Sequence, residues 1–190
     1  MRGLLARAGR LKGAAVAVLL LIVLLPGGCG APEALPEEPS NSYELMATVE
    51  LYFAGATAVN SGIGTETETE ELYVVPVKRE LAGGGDLLRR TLEELIKGPQ
   101  PEDGDYFSTI PVTAKIIDLE LSDGIAVINF SPELVSDSPG GSLAGIILQQ
   151  SLILTATQFP EVEKIVVLVE GDPWTDGHLL WDKPLGPDEL

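Results

Sequence analysis

The periodicities along the chain predict an α+β fold, a two-layer sandwich in the order strand pair, helix, strand pair, helix, strand, with two helices on one face of a mixed sheet. Three stretches carry that reading. Lys115–Leu121 and Gly124–Phe130 alternate apolar and polar residues about an Asp123-Gly124 turn, the signature of an antiparallel hairpin. Ser142 to Phe159 spreads its apolar residues at helical spacing, with no charged side chain between Ser138 and Pro160. Ile165–Val169 then runs continuously apolar and β-branched, as a central strand does.

Arg2 to Lys12, followed by the apolar run Ala14–Leu25, has the layout of a secretory signal. The run is shorter than the roughly 20 apolar residues that span a bilayer. The only cysteine, Cys29, comes directly after Leu25-Pro26-Gly27-Gly28. Small residues before a cysteine resemble a bacterial lipobox, whose cysteine becomes the acylated first residue of the mature chain, although Pro26 stands where an aliphatic residue is usual. Residues 1–28 are therefore assigned to a signal peptide, 29–45 to the lipidated Cys29 and a flexible acidic, proline-containing linker, 46–185 to one domain and 186–190 to a C-terminal tail. The expected location is the extracytoplasmic face of the cell membrane, lipid-anchored through Cys29. Without the first 28 residues, eight basic side chains stand against 29 acidic ones, a formal charge of −21. Such a field repels nucleic acid phosphates, so nucleic-acid binding is excluded as a function class.

Within the domain, Thr48–Phe53 is a half-buried strand that turns Val49, Leu51 and Phe53 inward. Gly55–Glu70, small and acidic, reads as an exposed hairpin loop, and Leu72–Val77 returns as a second strand whose Pro76 places it at an edge or an end. Asp86 can cap a helix with Leu88, Leu92, Leu95 and Ile96 on one side, and Gly98-Pro99 stops it. In the next strand Ile117, Leu119 and Leu121 oppose Asp118 and Glu120, so one face is covered. Across the turn, Ala126, Ile128 and Phe130 face the core. The long helix starts at Ser142, which can cap it, and ends before Pro160. It has two apolar stripes: Leu143, Ile146, Ile147, Ile153 and Leu154, and Leu148, Leu152, Ala156 and Phe159. One stripe meets the sheet. The other packs on the first helix or forms an interface, in the latter case a homo-oligomer built on Leu148, Leu152, Ala156 and Phe159. The tail from Gly171 is irregular, and its Trp174 and Trp181 either pack on the domain or, more weakly supported, stack on glycan rings.

No residue set has the spacing of a catalytic or metal site. His178 is the sole histidine, and Ser142 lacks the strand-turn-helix context of a nucleophile elbow. Zinc is poorly served by one histidine and a cysteine that the signal consumes. Glu66, Glu68, Glu70 and Glu71 lack the spacing of a calcium loop, and nothing desolvates the exposed pair Asp118 and Glu120. The expectation is no catalytic residue, no metal and no cofactor.

Several segments together resemble the GerMN domain family, the module of GerM-type sporulation and spore-germination lipoproteins. They are Val74–Arg79, Leu88–Pro99, Tyr106–Pro111, Asp123-Gly124 with Val127–Leu134, Leu152–Glu163 and the closing Gly177-His178. The resemblance covers about residues 48 to 185 and implies a fold like the ring-building motif of secretion-type assemblies. It also implies a non-catalytic role in protein–protein assembly in the cell envelope during sporulation or germination, with envelope or sporulation proteins as partners and no catalytic residues to carry over. The alternative is an accessory protein that binds peptidoglycan or assists cell-wall hydrolysis.

Overall fold

In the computed structural model, which describes residues 45–55, 65–67 and 70–190, the first strand runs Met46–Gly55 (β1). The signal segment and Cys29 lie outside the described residues, as do all of the linker but Leu45 and most of the acidic loop. Thr65–Thr67 (β2) and Glu70–Leu72 (β3) pair as a short antiparallel ribbon. Val74–Ala82 (β4) pairs along nearly all of β1 and extends beyond the expected strand because its exposed side is polar (Lys78, Glu80) while Val77 and Leu81 pack on the core. Helix α1, Leu87–Lys97, starts where the Asp86 carboxylate accepts the Arg89 amide hydrogen at 3.1 Å and stops at Gly98, whose φ of 84° suits glycine. Tyr106–Phe107 (β5), unforeseen in the sequence because it is only two residues long, pairs with Ala54 and Gly55.

Ile116–Ser122 (β6) and Ile125–Phe130 (β7) form the expected hairpin around Asp123 and Gly124, with φ of 50° and 78°. Two successive positive φ values are what a two-residue loop of matching twist demands. A register shift between Ile116 and Asp118 takes Ile117 out of line with Leu119 and leaves it 53% exposed, and Leu121, at the hairpin end, is 42% exposed, so of the expected inward row only Leu119 packs on the core. A short helix, Glu133–Ser136 (α2), leads to the long helix Ser142–Thr157 (α3). Ser142 is the first helical residue and does not cap: the N-cap is Gly141, with no side-chain hydrogen bond. Lys164–Val169 (β8) joins β7 in parallel, and Asp172–Pro173 (β9) turns back on it.

The architecture is an α+β sandwich with a mixed-sheet layer. Hydrogen bonding divides that layer into two main sheets, β4-β1-β5 and β6-β7-β8-β9, because most of the outer edge of β1 is occupied by a helix. The Tyr52 amide donates to Thr155 Oγ1 (3.2 Å), Ser151 Oγ donates to the Tyr52 carbonyl (2.6 Å), and Gln158 accepts from the Glu50 amide (2.8 Å) and donates to its carbonyl (2.7 Å). Positions 151, 155 and 158 lie on one face of α3. That polar face stands in for a neighbouring strand. Since the amides of Glu50 and Tyr52 point to α3, their partners across the ladder, Lys78 and Pro76, turn their backbone groups to the free edge of β4. The missing N–H of Pro76 thus falls on an open edge, where it discourages pairing with other chains. Thr155→Val, isosteric but unable to accept, is expected to cost about 1–3 kcal/mol in urea unfolding by stranding the Tyr52 amide.

One core joins Val49, Leu51 and Phe53 of β1 to Leu88, Leu92 and Leu95 of α1, Ala126, Ile128 and Phe130 of β7, and Ile165 and Val167 of β8. Into it go Leu148, Leu152 and Ala156 of α3 and Phe159 just past its end, which are 4%, 0%, 0% and 8% exposed. The stripe offered as an interface is therefore interior, packed in the core that α1 shares, and it is withdrawn as a contact surface. The opposite stripe, through Leu143, Ile147 and Leu154, closes a smaller cluster with Ala54 and Val74.

The last residues are ordered rather than irregular. The Trp174 amide donates to the Val167 carbonyl, Ile165 and Leu185 exchange hydrogen bonds, and Pro187–Glu189 forms a 3-10 turn with Glu189 paired to Lys164. Trp174 and Trp181 pack edge to face at 6.0 Å and are 3% and 1% exposed. Neither ring offers a face to a sugar, so glycan stacking by Trp174 and Trp181 is withdrawn.

Candidate functional site

A concavity lies where β5 and the segment after it face the start of α3. Phe107 to Val112 form one wall; Asp137 to Gly140, then Leu143, Ala144 and Ile147, form the other, and Ala54 closes the floor. The groove holds about 560 Å³, within the range of ligand and anchor pockets. Its first wall is held by a hydroxyl chain. Because a serine hydroxyl carries a single proton and that of Ser151 goes to the Tyr52 carbonyl, Thr109 must donate to Ser151, at 2.6 Å. In the second wall, Gly140 and Gly141 have φ of 71° and 91°, which lets the chain swing from Pro139 into α3.

The lining is mostly apolar, with Ser108 and Thr109 in the first wall and Asp137 and Ser138 in the second. Asp137 is the only ionisable side chain among the described lining residues. The Thr113 hydroxyl donates to one oxygen at 2.6 Å and the Ser136 hydroxyl to the other at 2.9 Å, and together they hold the carboxyl below its usual range against a small opposing effect of desolvation. Asp137 is a fixed negative charge at neutral pH. With one ionised carboxylate beside mostly apolar walls, the groove can bury apolar groups and favour a cation. Phe107 and Val112 on its rim are 48% and 70% exposed. This site was not anticipated from the sequence, because its walls are a loop and a helix start separated by about 30 residues, and the periodicity of Leu143 and Ile147 in one wall does not reveal what faces them.

His178 is exposed, and its amide, together with that of Leu179, donates to Asp176 Oδ1. Among the described residues no three His, Cys, Asp or Glu side chains converge as metal ligands. Asp118 and Glu120 sit exposed on β6. The acidic cluster at Glu66 to Glu71 and Cys29, the expected lipidation site, lie where side chains are not described. No described helix is long and apolar enough to cross a membrane.

Asp176 has a structural task. Its second oxygen is buried without a partner against Gly145 of α3, where an added Cβ would overlap the carboxylate. Alanine normally exceeds glycine in a helix interior by about 1 kcal/mol. Here Gly145→Ala is expected to lower the melting temperature instead, with Gly145→Ala/Asp176→Ala recovering part of the loss. Burial pushes the Asp176 carboxyl up, but the amide hydrogens of Leu179 and His178 outweigh it and leave it below its usual value. A depressed folded-state pKa stabilises above the unfolded value near 3.8 and is lost as pH falls through the folded one. The stability difference between the native chain and Asp176→Asn is therefore expected to shrink as urea unfolding is repeated from about pH 5 down to pH 3.

Residues 50–175 match the family model described as Germane, sporulation and spore germination. Among solved structures, a candidate lipoprotein from Clostridium perfringens is 24% identical, with a TM-score of 0.51 over 76% of this chain and 89% of that one. The tandem GerMN domains of the sporulation protein GerM from Bacillus subtilis are 21% identical, with a TM-score of 0.56 over 77% of this chain and 47% of theirs. The first of those domains alone is 20% identical, with a TM-score of 0.51 over 66% of this chain and 84% of its own. At these identities the likeness is one of fold, and this chain spans about half of the tandem pair. Comparison with curated proteins gives no match.

Proposed function

The chain belongs to the Germane family of sporulation and spore germination, and from that premise we propose that it is a non-catalytic, lipid-anchored module that assembles with other proteins on the extracytoplasmic face of the cell membrane. The observation that carries the reading is the groove beside α3: a preformed, mostly apolar concavity with a single ionised carboxylate suits the capture of a partner's apolar residues. The signal layout and the lipobox-like Cys29 support the location, as does the likeness in fold to a candidate lipoprotein and to domains of a sporulation protein. The peptidoglycan alternative keeps only its location as a motive, since the two tryptophans are interior.

The test is a photo-crosslinking residue at Val112, introduced into the full-length chain in its own cells. Adducts to envelope proteins are expected, and they should vanish with Leu143→Glu. Adducts to peptidoglycan alone, or fragments released from purified peptidoglycan by the isolated protein, would replace the assembly reading with the cell-wall one.

A further inference from the structure

We propose that the groove between the β5 edge and α3 receives an extended partner segment that alternates apolar and basic residues. This rests on the reading of the chain as a protein-binding module and adds to it the chemistry of what is bound.

Extension follows from the wall. Phe107 of β5 pairs with Ala54, so one edge of β5 is used by β1, and β5 is the terminal strand of its sheet among the described residues. A segment laid along the other edge would run in register with a strand, placing every second side chain on one face. Thr109, tied to Ser151 and through it to β1, keeps the wall in place before anything binds, which limits the ordering cost of binding.

The basic character follows from charge. No lysine or arginine is among the described lining residues, whereas Asp137 stands ionised in the second wall with both oxygens held by hydroxyl donors. The whole chain carries a net charge of −17. An acidic or strongly anionic segment would meet repulsion at the rim and over the longer range, and a cationic one would be steered toward it. A neutral apolar segment would leave the Asp137 charge without a cationic partner.

The experiment uses the full-length chain in nanodiscs of neutral phosphatidylcholine, with empty nanodiscs as the blank, and fluorescent octapeptides read by anisotropy at low salt. The probes are an alternating Leu-Lys peptide, a Leu-Glu peptide and a Ser-Lys peptide. The Leu-Lys peptide is expected to bind at least tenfold more tightly than either of the others. Val112→Lys is expected to weaken it at least tenfold, and Asp137→Asn to narrow its preference over Leu-Glu. Val112 is largely exposed, so its replacement tests binding without threatening the fold. Equal binding of Leu-Lys to the native chain and to Val112→Lys would mean attraction to the overall acidic surface and would overturn the proposal. Equal binding of Leu-Glu, or of Ser-Lys, would overturn it too, as would no binding of any probe. None of those outcomes touches the crosslinking at Val112, so the assembly reading stands or falls separately.

Discussion

Trp181→Ala is expected to destabilise the chain by about 3–5 kcal/mol, a large part of the 5–15 kcal/mol that a domain of this size possesses. The ring is 1% exposed and meets Trp174 edge to face, so truncation opens a cavity that rigid neighbours on β8 cannot fill. It also removes the Nε1–H donated to the Ile165 carbonyl at 3.1 Å. That carbonyl still accepts the Leu185 amide hydrogen at 2.9 Å, so the lost volume matters more than the lost bond. Trp181→Phe separates the two, and it should cost clearly less than alanine. Urea unfolding gives the free energies, and near-ultraviolet circular dichroism reports whether the Trp174 signal loses its fixed surroundings. A loss below about 1 kcal/mol for alanine would show that the tail is peripheral to the fold.

The second large effect is expected at Arg79. Its guanidinium bridges Glu94 on α1 at 2.8 Å and Asp103 in the following loop at 2.6 Å, with the three side chains only 9–11% exposed. Asp103 also accepts the Gln100 amide hydrogen at 2.6 Å, and Lys97 meets Glu94 from the solvent side at the same distance. The network pins the Gly98–Asp105 loop, which leads directly into β5. Arg79→Ala leaves two carboxylates nearly buried with no cation between them, an expected cost of about 3–5 kcal/mol. The network is expected to behave as a unit. Arg79→Met combined with Glu94→Leu should cost much less than the sum of the two single changes, by a coupling of about 1–3 kcal/mol in a double-mutant cycle. Additive losses would mean the charges act independently.

Much of the fold could be read before any coordinates. Asp123-Gly124 dictated its turn because only two successive positive φ values close so short a hairpin with the right twist, and the Asp86 cap and Gly98 stop followed from the donors and carbonyls of helix ends. The apolar β8 run correctly implied a central strand. What could not be read depended on long-range partners. Ser151, Thr155 and Gln158 looked like polar gaps between two apolar stripes, yet they bind the backbone of a strand 99 to 108 residues earlier. That binding turned the stripe of Leu148, Leu152, Ala156 and Phe159 inward. A buried helix face with hydroxyl and amide groups at positions 151, 155 and 158 was the available clue, since such groups must find partners. The tail was misread because its order comes from isolated bridges to β8, which leave no periodicity.

The substitution of a helix for a strand beside β1 has a consequence for biosynthesis. On the proposed export route the chain emerges from the membrane amino terminus first, so β1 and β4 can zip together while the groups that will cover the far side of β1 are still about a hundred residues behind them. Through that interval the nascent hairpin carries an unshielded row of peptide groups at Glu50 and Tyr52, open to pairing with any passing chain. Stalled translocation or truncation before Ser151 would lengthen that exposure, and the hazard ends only when Gln158, at the C-cap of the helix, has docked.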